Sequence, residues 1–150
     1  MPQPELCVIF NPTAGKHRAR RRLEQLRAGW GPRADFRPTD RAGHAVELAR
    51  QAALAGYRIV AAAGGDGTAH EVLNGLMRAA RPEVRFSIIP IGSANDYAYS
   101  LSLPGADGSV PAVRTVDVGQ VRAPDGRLEY FGCNLGMGLN GSVTWESVEM

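Results

Sequence analysis

Ile59-Val60-Ala61-Ala62-Ala63-Gly64-Gly65-Asp66-Gly67-Thr68 is the stretch on which the reading of the whole chain turns. Residues 58–63 form a continuous apolar run after the first residue, closed by Gly64-Gly65, as expected of a strand buried on both faces. Residues 68–80 then carry Val72, Leu73, Leu76 and Met77 at helical spacing, with Pro82 just beyond. A buried strand that passes through a glycine turn into an amphipathic helix is one unit of a parallel sheet.

The same unit recurs on both sides. Upstream, residues 6–10 are a short apolar run before Asn11-Pro12-Thr13-Ala14-Gly15, and a basic amphipathic stretch over 18–28 follows. Residues 34–39 read as a strand and 43–55 as a helix ended by Gly56. Downstream, residues 86–91 read as a further buried strand, and Gly92 leads into a helical pattern over 94–101. Past Pro104 the pattern changes: residues 114–122 and 128–135 flank Pro124-Asp125-Gly126 as an antiparallel hairpin. The fold class expected is α/β, a Rossmann-like parallel sheet with helices on both faces over residues 1–110. The beginning of a β-rich second domain is expected over 111–150. Ligands of such sheets bind at the carboxyl ends of the strands, which draws attention to 11–16, 39–43, 64–68 and 92–96.

Composition fits this picture. The chain has 150 residues, 44% of them hydrophobic and 21% charged, which argues against disorder. Its 17 basic and 15 acidic residues leave a net charge of +2, with no sign of a nucleic-acid partner. The basic run from Lys16 through Arg22 is expected to be a solvated helix face, with approach to an anionic membrane surface as the lesser reading. Cys7 and Cys133 are expected to be buried free thiols. Without a signal peptide or a membrane-length apolar run, the chain reads as cytoplasmic, with any membrane contact peripheral, at the inner face.

Gly64-Gly65-Asp66-Gly67-Thr68 has the features of an anion cradle: glycines let backbone approach a ligand, and a helix N-terminus favours negative charge. Thr68 and Glu71 have capping-box spacing, which sets the helix start at Thr68. Asp66 would repel a phosphate unless hydrated Mg²⁺ or a donor intervenes; the bland alternative is that it caps the helix. Ser93 and Asp96, within Gly92-Ser93-Ala94-Asn95-Asp96, repeat the capping-box spacing at the next strand end. Asn11 either contacts a ligand or makes an Asx-turn before Pro12. Asn11 to Lys16 is not a phosphate loop of the G-x-x-x-x-G-K-[ST] type, since the first glycine is absent and His17 follows the lysine. His44 and His70 are assigned to surface or capping roles.

These elements, in this order, resemble the diacylglycerol-kinase catalytic domain family. They are Asn-Pro-x-x-Gly at 11–15, Thr-x-x-x-Gly-His-Ala at 39–45, Gly-Gly-Asp-Gly-Thr at 64–68 and Gly-Ser-Ala-Asn-Asp-Tyr-Ala at 92–98. Val-Asp-Val-Gly at 116–119 and Tyr-Phe-Gly-Cys-Asn-Leu-Gly-Met-Gly at 130–138 are also similar. The resemblance implies a phosphofructokinase- or NAD-kinase-like N-terminal domain, ATP and Mg²⁺ as cofactors, and a lipid alcohol at a membrane surface as substrate. It implies nucleotide contacts from Asn11, Thr39, Gly64, Gly65, Asp66, Gly67, Thr68, Glu71, Ser93 and Asn95. Asp66 and Asp96 take the catalytic positions, and Asp66, Asp96 and Asp117 the metal positions, through water. The general base and most of the lipid pocket belong to a C-terminal domain that these residues do not include, so the chain is expected to bind nucleotide but turn over lipid poorly. Self-association through hairpin edges is a further expectation. The alternatives are a kinase of the NAD-kinase type, against which the Gly-Ser-Ala-Asn-Asp-Tyr-Ala segment speaks, and a non-catalytic nucleotide-binding module.

Overall fold

The computed structural model describes residues 5–14, 16–101, 113 and 115–133, with the backbone alone for 16–19. The elements follow the expected alternation: β1 Leu6–Phe10, α1 Lys16–Trp30, β2 Ala34–Pro38, α2 His44–Leu54, β3 Ile59–Gly64, α3 Asp66–Ala79, β4 Arg85–Pro90 and α4 Asp96–Ser100. The four strands form one parallel sheet in the order β2-β1-β3-β4. The order reverses direction between β1 and β3, so the crevice that such a reversal opens lies beyond Phe10 and Gly64.

Alternation along the central strands divides the core in two. Cys7, Ile9, Val60 and Ala62 point to the face covered by Ala45, Ala49 and Ala52 of α2, Ala69, Val72 and Leu73 of α3, and Tyr97 of α4. Val8, Phe10, Ala61 and Ala63 point to the other face, against Leu23, Leu26 and Trp30 of α1. Val8, Ile9 and Val60 are fully buried, each contributing about 1.5–3 kcal/mol of hydrophobic burial. Both helical layers are therefore accounted for by a period-2 pattern in strands whose every position is apolar.

Gly56, expected to end α2, does so with φ of +91°, while the Tyr57 and Gly56 N–H groups return to the carbonyls of Ala52 and Ala53. Gly75 in α3 allows that helix to pack closely on α2, since a β-carbon there would run into the Val46 carbonyl and the Ala49 side chain.

The structure differs from the sequence reading in several places. α1 begins and ends about two residues outside 18–28, and α4 begins at Asp96, not Ala94. β4 is only partly buried along most of its length, because it forms an edge of the sheet among the described residues. Within 114–122 only Gly119–Arg122 is extended into a strand, β5, which pairs antiparallel with β6, Leu128–Phe131. The turn between them is the expected one: Gly126 adopts φ of +86° and the Ala123 N–H bonds to the Arg127 carbonyl at 2.8 Å. Cys7 is buried, but Cys133 is half-exposed, since β6 ends before it. The expected boundary near residue 110 and residues 134–138 lie outside the described residues.

Candidate functional site

The strand register brings the glycine loops together. Pro38, Phe10, Ala63 and Ile89 lie abreast in the sheet, so Thr39, Asn11, Gly64 and Pro90 form the next row, at its carboxyl edge. There the loops after β3 and β4 touch backbone to backbone. The N–H groups of Ile91 and Gly92 both bond to the Gly64 carbonyl, at 3.1 and 3.2 Å. A β-carbon on Gly92 would collide with Gly65 backbone, and one on Gly64 with the Thr68 side chain. Gly67 differs: nothing among the described residues lies within 4 Å of where its β-carbon would be. The fold thus requires Gly64 and Gly92 to lack side chains, whereas at Gly67 it leaves open space.

Helix capping here is not as the sequence spacing suggests. α3 starts at Asp66, with Gly65 as N-cap and no side-chain capping bond, so Thr68 and Glu71 form no capping box. Thr68 is instead buried beneath Gly64. The Glu71 carboxylate crosses to α2, where it accepts the Gly43 N–H at 2.9 Å and the Ala45 N–H at 3.1 Å. An i,i+3 spacing cannot distinguish a local cap from a cap on the neighbouring helix, and the close α2–α3 packing decides for the neighbour. Among the described residues, no side chain caps the first N–H groups of α3.

Asp66 likewise serves another helix. Its Oδ2 accepts the Asp96 N–H at 3.1 Å and its Oδ1 the Tyr97 N–H at 2.9 Å, so it caps α4 and not α3. Ser93 and Asp96 therefore form no capping box either. The N-cap of α4 is Asn95, held left-handed at φ of 60°. Its Oδ1 accepts the Gly92 N–H at 3.0 Å and its Nδ2 donates to the Gly92 carbonyl at 2.9 Å. Asp66 and Asn95 together lock the two loops into one unit.

The remaining expected residues are distributed around this unit. Asn11 makes the Asx-turn: its Oδ1 accepts the Thr13 N–H at 2.9 Å and the Thr13 hydroxyl at 2.8 Å. Thr39 is half-buried, its N–H bonded to the Phe10 carbonyl at 2.9 Å. Ser93 is exposed beside Asn95. Asp66 and Asp96 share a cavity of about 170 Å³ with His70, Leu73, Tyr97, Phe131, Gly132 and Cys133. Asp117 is exposed and does not line it. Among the described residues, no group of His, Cys, Asp or Glu side chains forms a ready-made metal centre. His44 bridges to Asp40 at 2.7 Å, and His70 is half-exposed near Asn74 and Glu129.

Sequence reasoning missed Asn74 and Phe131. Asn74 is buried in the middle of α3, where a polar side chain beside Leu73 was the available signal. The role of Phe131 in the cavity wall depends on where β6 docks, which no local pattern encodes.

Among the described residues, no helix is long and apolar enough to cross a membrane.

The diacylglycerol kinase catalytic domain model matches residues 5–125. The chain is 37% identical over 135 residues to a diacylglycerol kinase of Bacillus subtilis strain 168, covering 83% of the chain and 42% of that protein. It is 41% identical over 103 residues to a diacylglycerol kinase of Staphylococcus haemolyticus, covering 65% of the chain and 30% of that protein. A crystal structure of a diacylglycerol kinase from Bacillus anthracis superposes with a TM-score of 0.58 at 28% identity, covering 68% of this chain and 36% of that one. The chain thus spans less than half the length of these relatives. A family match across the sheet, both glycine loops and β5, together with a similar solved fold, leads to one conclusion: the chain belongs to the diacylglycerol kinase catalytic domain family.

Proposed function

We propose that this chain is the ATP-binding part of a lipid kinase that transfers the γ-phosphoryl group of ATP to a lipid hydroxyl, such as that of diacylglycerol. The observation that carries this reading is the uncapped start of α3 beside the open position at Gly67. Helix geometry leaves the N–H groups of Asp66, Gly67 and Thr68 without intrahelical acceptors, and the aligned peptide dipoles favour an anion there. With Glu71 committed to α2, no described side chain caps this helix start in a phosphate's place. A missing side chain at Gly67 is unnecessary for packing but useful where phosphate oxygens approach backbone.

Mg²⁺ would be held, through water, by the carboxylates of Asp66 and Asp96, which share the cavity, and would neutralise charge on the phosphates. The residues fit this only partly: both Asp66 oxygens also receive backbone N–H groups, and the lone pairs left over suit water better than direct ligation. At about 170 Å³ the cavity is smaller than usual ligand pockets, so it suits the reacting end of a substrate and not a whole lipid. Leu73, Tyr97 and Phe131 give it an apolar side next to the acids. The family resemblance puts the proton acceptor for the lipid hydroxyl outside these 150 residues. For the chain itself we expect nucleotide binding with little lipid turnover.

Calorimetric titration with ATP, with and without Mg²⁺, tests the reading. Binding should be Mg²⁺-dependent, and Gly67→Ala should weaken it about tenfold or more while leaving the fold intact. Wild-type affinity in a folded Gly67→Ala chain would show that phosphates do not lie against this backbone.

A further inference from the structure

Asn74 lies in the middle of α3, yet its side chain is only 1% exposed. Its Nδ2 donates to the Tyr130 carbonyl at 2.8 Å, and its Oδ1 accepts the Tyr130 N–H at 3.0 Å. Nδ2 also donates to the His70 carbonyl, one turn back, at 3.0 Å. A primary amide presents a donor and an acceptor side by side, as a peptide does. Asn74 therefore does for the outer edge of β6 what another strand would. One turn further along α3, Arg78 donates to the Leu128 carbonyl at 3.3 Å and pairs with Glu129 at 3.0 Å. The hairpin is thus fastened to α3 at its backbone, across 56 positions of sequence in the case of Asn74.

The residues directly after Tyr130 give the fastening its consequence. Phe131, Gly132 and Cys133 form one stretch of the cavity wall, and the same cavity is lined by Asp66 and Asp96. Asp66 opens the helix that carries Asn74, and Asp66 also holds the start of α4, so the acids and the 131–133 stretch are both referred to α3. Tyr97 packs on Gly132 so closely that a β-carbon there would not fit, which leaves the wall little latitude.

We infer that Asn74 is a positioning residue, which sets the register of β6 on α3 and thereby the separation between the 131–133 wall and the acids at the start of α3. An apolar residue at position 74 would bury comparable area but would not register a strand. A slip of β6 by one residue turns the Tyr130 N–H and carbonyl away from α3 and leaves the Asn74 amide buried without partners, at a cost of about 1–3 kcal/mol per unsatisfied group. The bearing of this on phosphoryl transfer rests on the function proposed above; the positioning itself does not.

The thiol of Cys133 reports the wall, and the buried Cys7 serves as reference. The test is the rate at which a neutral aromatic disulfide labels each thiol in the wild-type chain, Asn74→Ala and Asn74→Asp. Asn74→Asp keeps the volume and the acceptor but sets a carboxylate oxygen against the Tyr130 carbonyl. Both variants should label Cys133 at least about tenfold faster while Cys7 stays unreactive and the far-ultraviolet dichroism is unchanged. Folded variants with the wild-type Cys133 rate would overturn the inference, since a merely structural Asn74 would lower the melting temperature without singling out Cys133. If both variants unfold, native-state hydrogen exchange of the wild type decides. The Tyr130 amide should be protected to within about tenfold of the Val72 and Leu73 amides. Exchange of Tyr130 as fast as the hairpin-turn amides would overturn the inference. No ligand enters either measurement, so its result is independent of whether ATP binds.

Discussion

The loops after β3 and β4 are both glycine-led and both enter helices, but they are built on different terms. In the β4 loop every special feature is tied down by the protein. Gly92 has no room for a side chain, and left-handed Asn95 is fixed to it by two hydrogen bonds. The β3 loop is tied down at Gly64 but open at Gly67, and its helix starts without a side-chain cap. One loop is a brace throughout, and the other is a brace that leaves open space at Gly67 and an uncapped helix start. A glycine can be required by packing, by backbone conformation or by something that is not part of the chain, and the three cases are separable only when the neighbours of each are known.

The largest effect should come from breaking the brace. In Gly92→Ala the added methyl meets Gly65 backbone, which cannot rotate aside, so we expect destabilisation at or above the upper end of the 1–3 kcal/mol typical of overpacking, about 3 kcal/mol, measured by urea unfolding. Stability within about 0.5 kcal/mol of wild type would mean that the two loops do not touch.

The sheet beneath the loops offers the next effect, which leaves both loops untouched. Burial pushes the Cys7 thiol from 9.0 up to about 11. The folded state therefore holds the Cys7 proton more tightly than the unfolded chain does. The resulting stability is fully present below pH 9 and is lost as pH rises towards about 11, amounting to roughly 2–3 kcal/mol. Unfolding curves at pH 8 to 11 should show this loss, and Cys7→Ala should show less of it. Burial also raises the Tyr97 hydroxyl, which acts in the same direction, so the difference between the two chains is the quantity to read.

Asp66→Asn should cost about 1 kcal/mol, because one of the two α4 N–H groups loses its acceptor and the helix start loses a negative charge. Its effect on Mg²⁺-dependent ATP binding should be much larger than its effect on unfolding. If the two fall in proportion, Asp66 is only a cap.

The smallest effect on stability is expected at the open position of the β3 loop. Gly67→Ala should change stability by no more than about 1 kcal/mol, in the stabilising direction, since alanine is the better helix former and meets no neighbour. A loss of several kcal/mol would remove the distinction between the two loops.

Much of this architecture was legible in the chain itself. Strand and helix periodicities placed the β-α units to within a few residues, because burial on both faces and helix amphipathicity leave a mark at every position, and turn chemistry placed the hairpin turn, though its strands are shorter than expected. The motifs marked the loops correctly as the carboxyl edge of the sheet. The partners of individual side chains were less legible. Glu71 and Asp96 carry capping-box spacings, and Asp66 the position of a local cap, yet Glu71 caps α2 and Asp66 caps α4. Capping is a hydrogen bond to whichever orphan N–H is nearest, and in a packed α/β sheet the nearest one can belong to another helix.

From its sequence alone, this protein is determined to be a parallel α/β domain with glycine loops at one edge and an antiparallel hairpin after it. Those features are written in local periodicity and turn chemistry. Only the tertiary structure decides that Gly92 is needed by Gly65 while Gly67 is not needed by any described neighbour, that Asp66 joins the two loops, and that Asn74 holds the second sheet. Each of these depends on contacts between residues tens of positions apart, whose distances are set by packing and not by the spacing of letters.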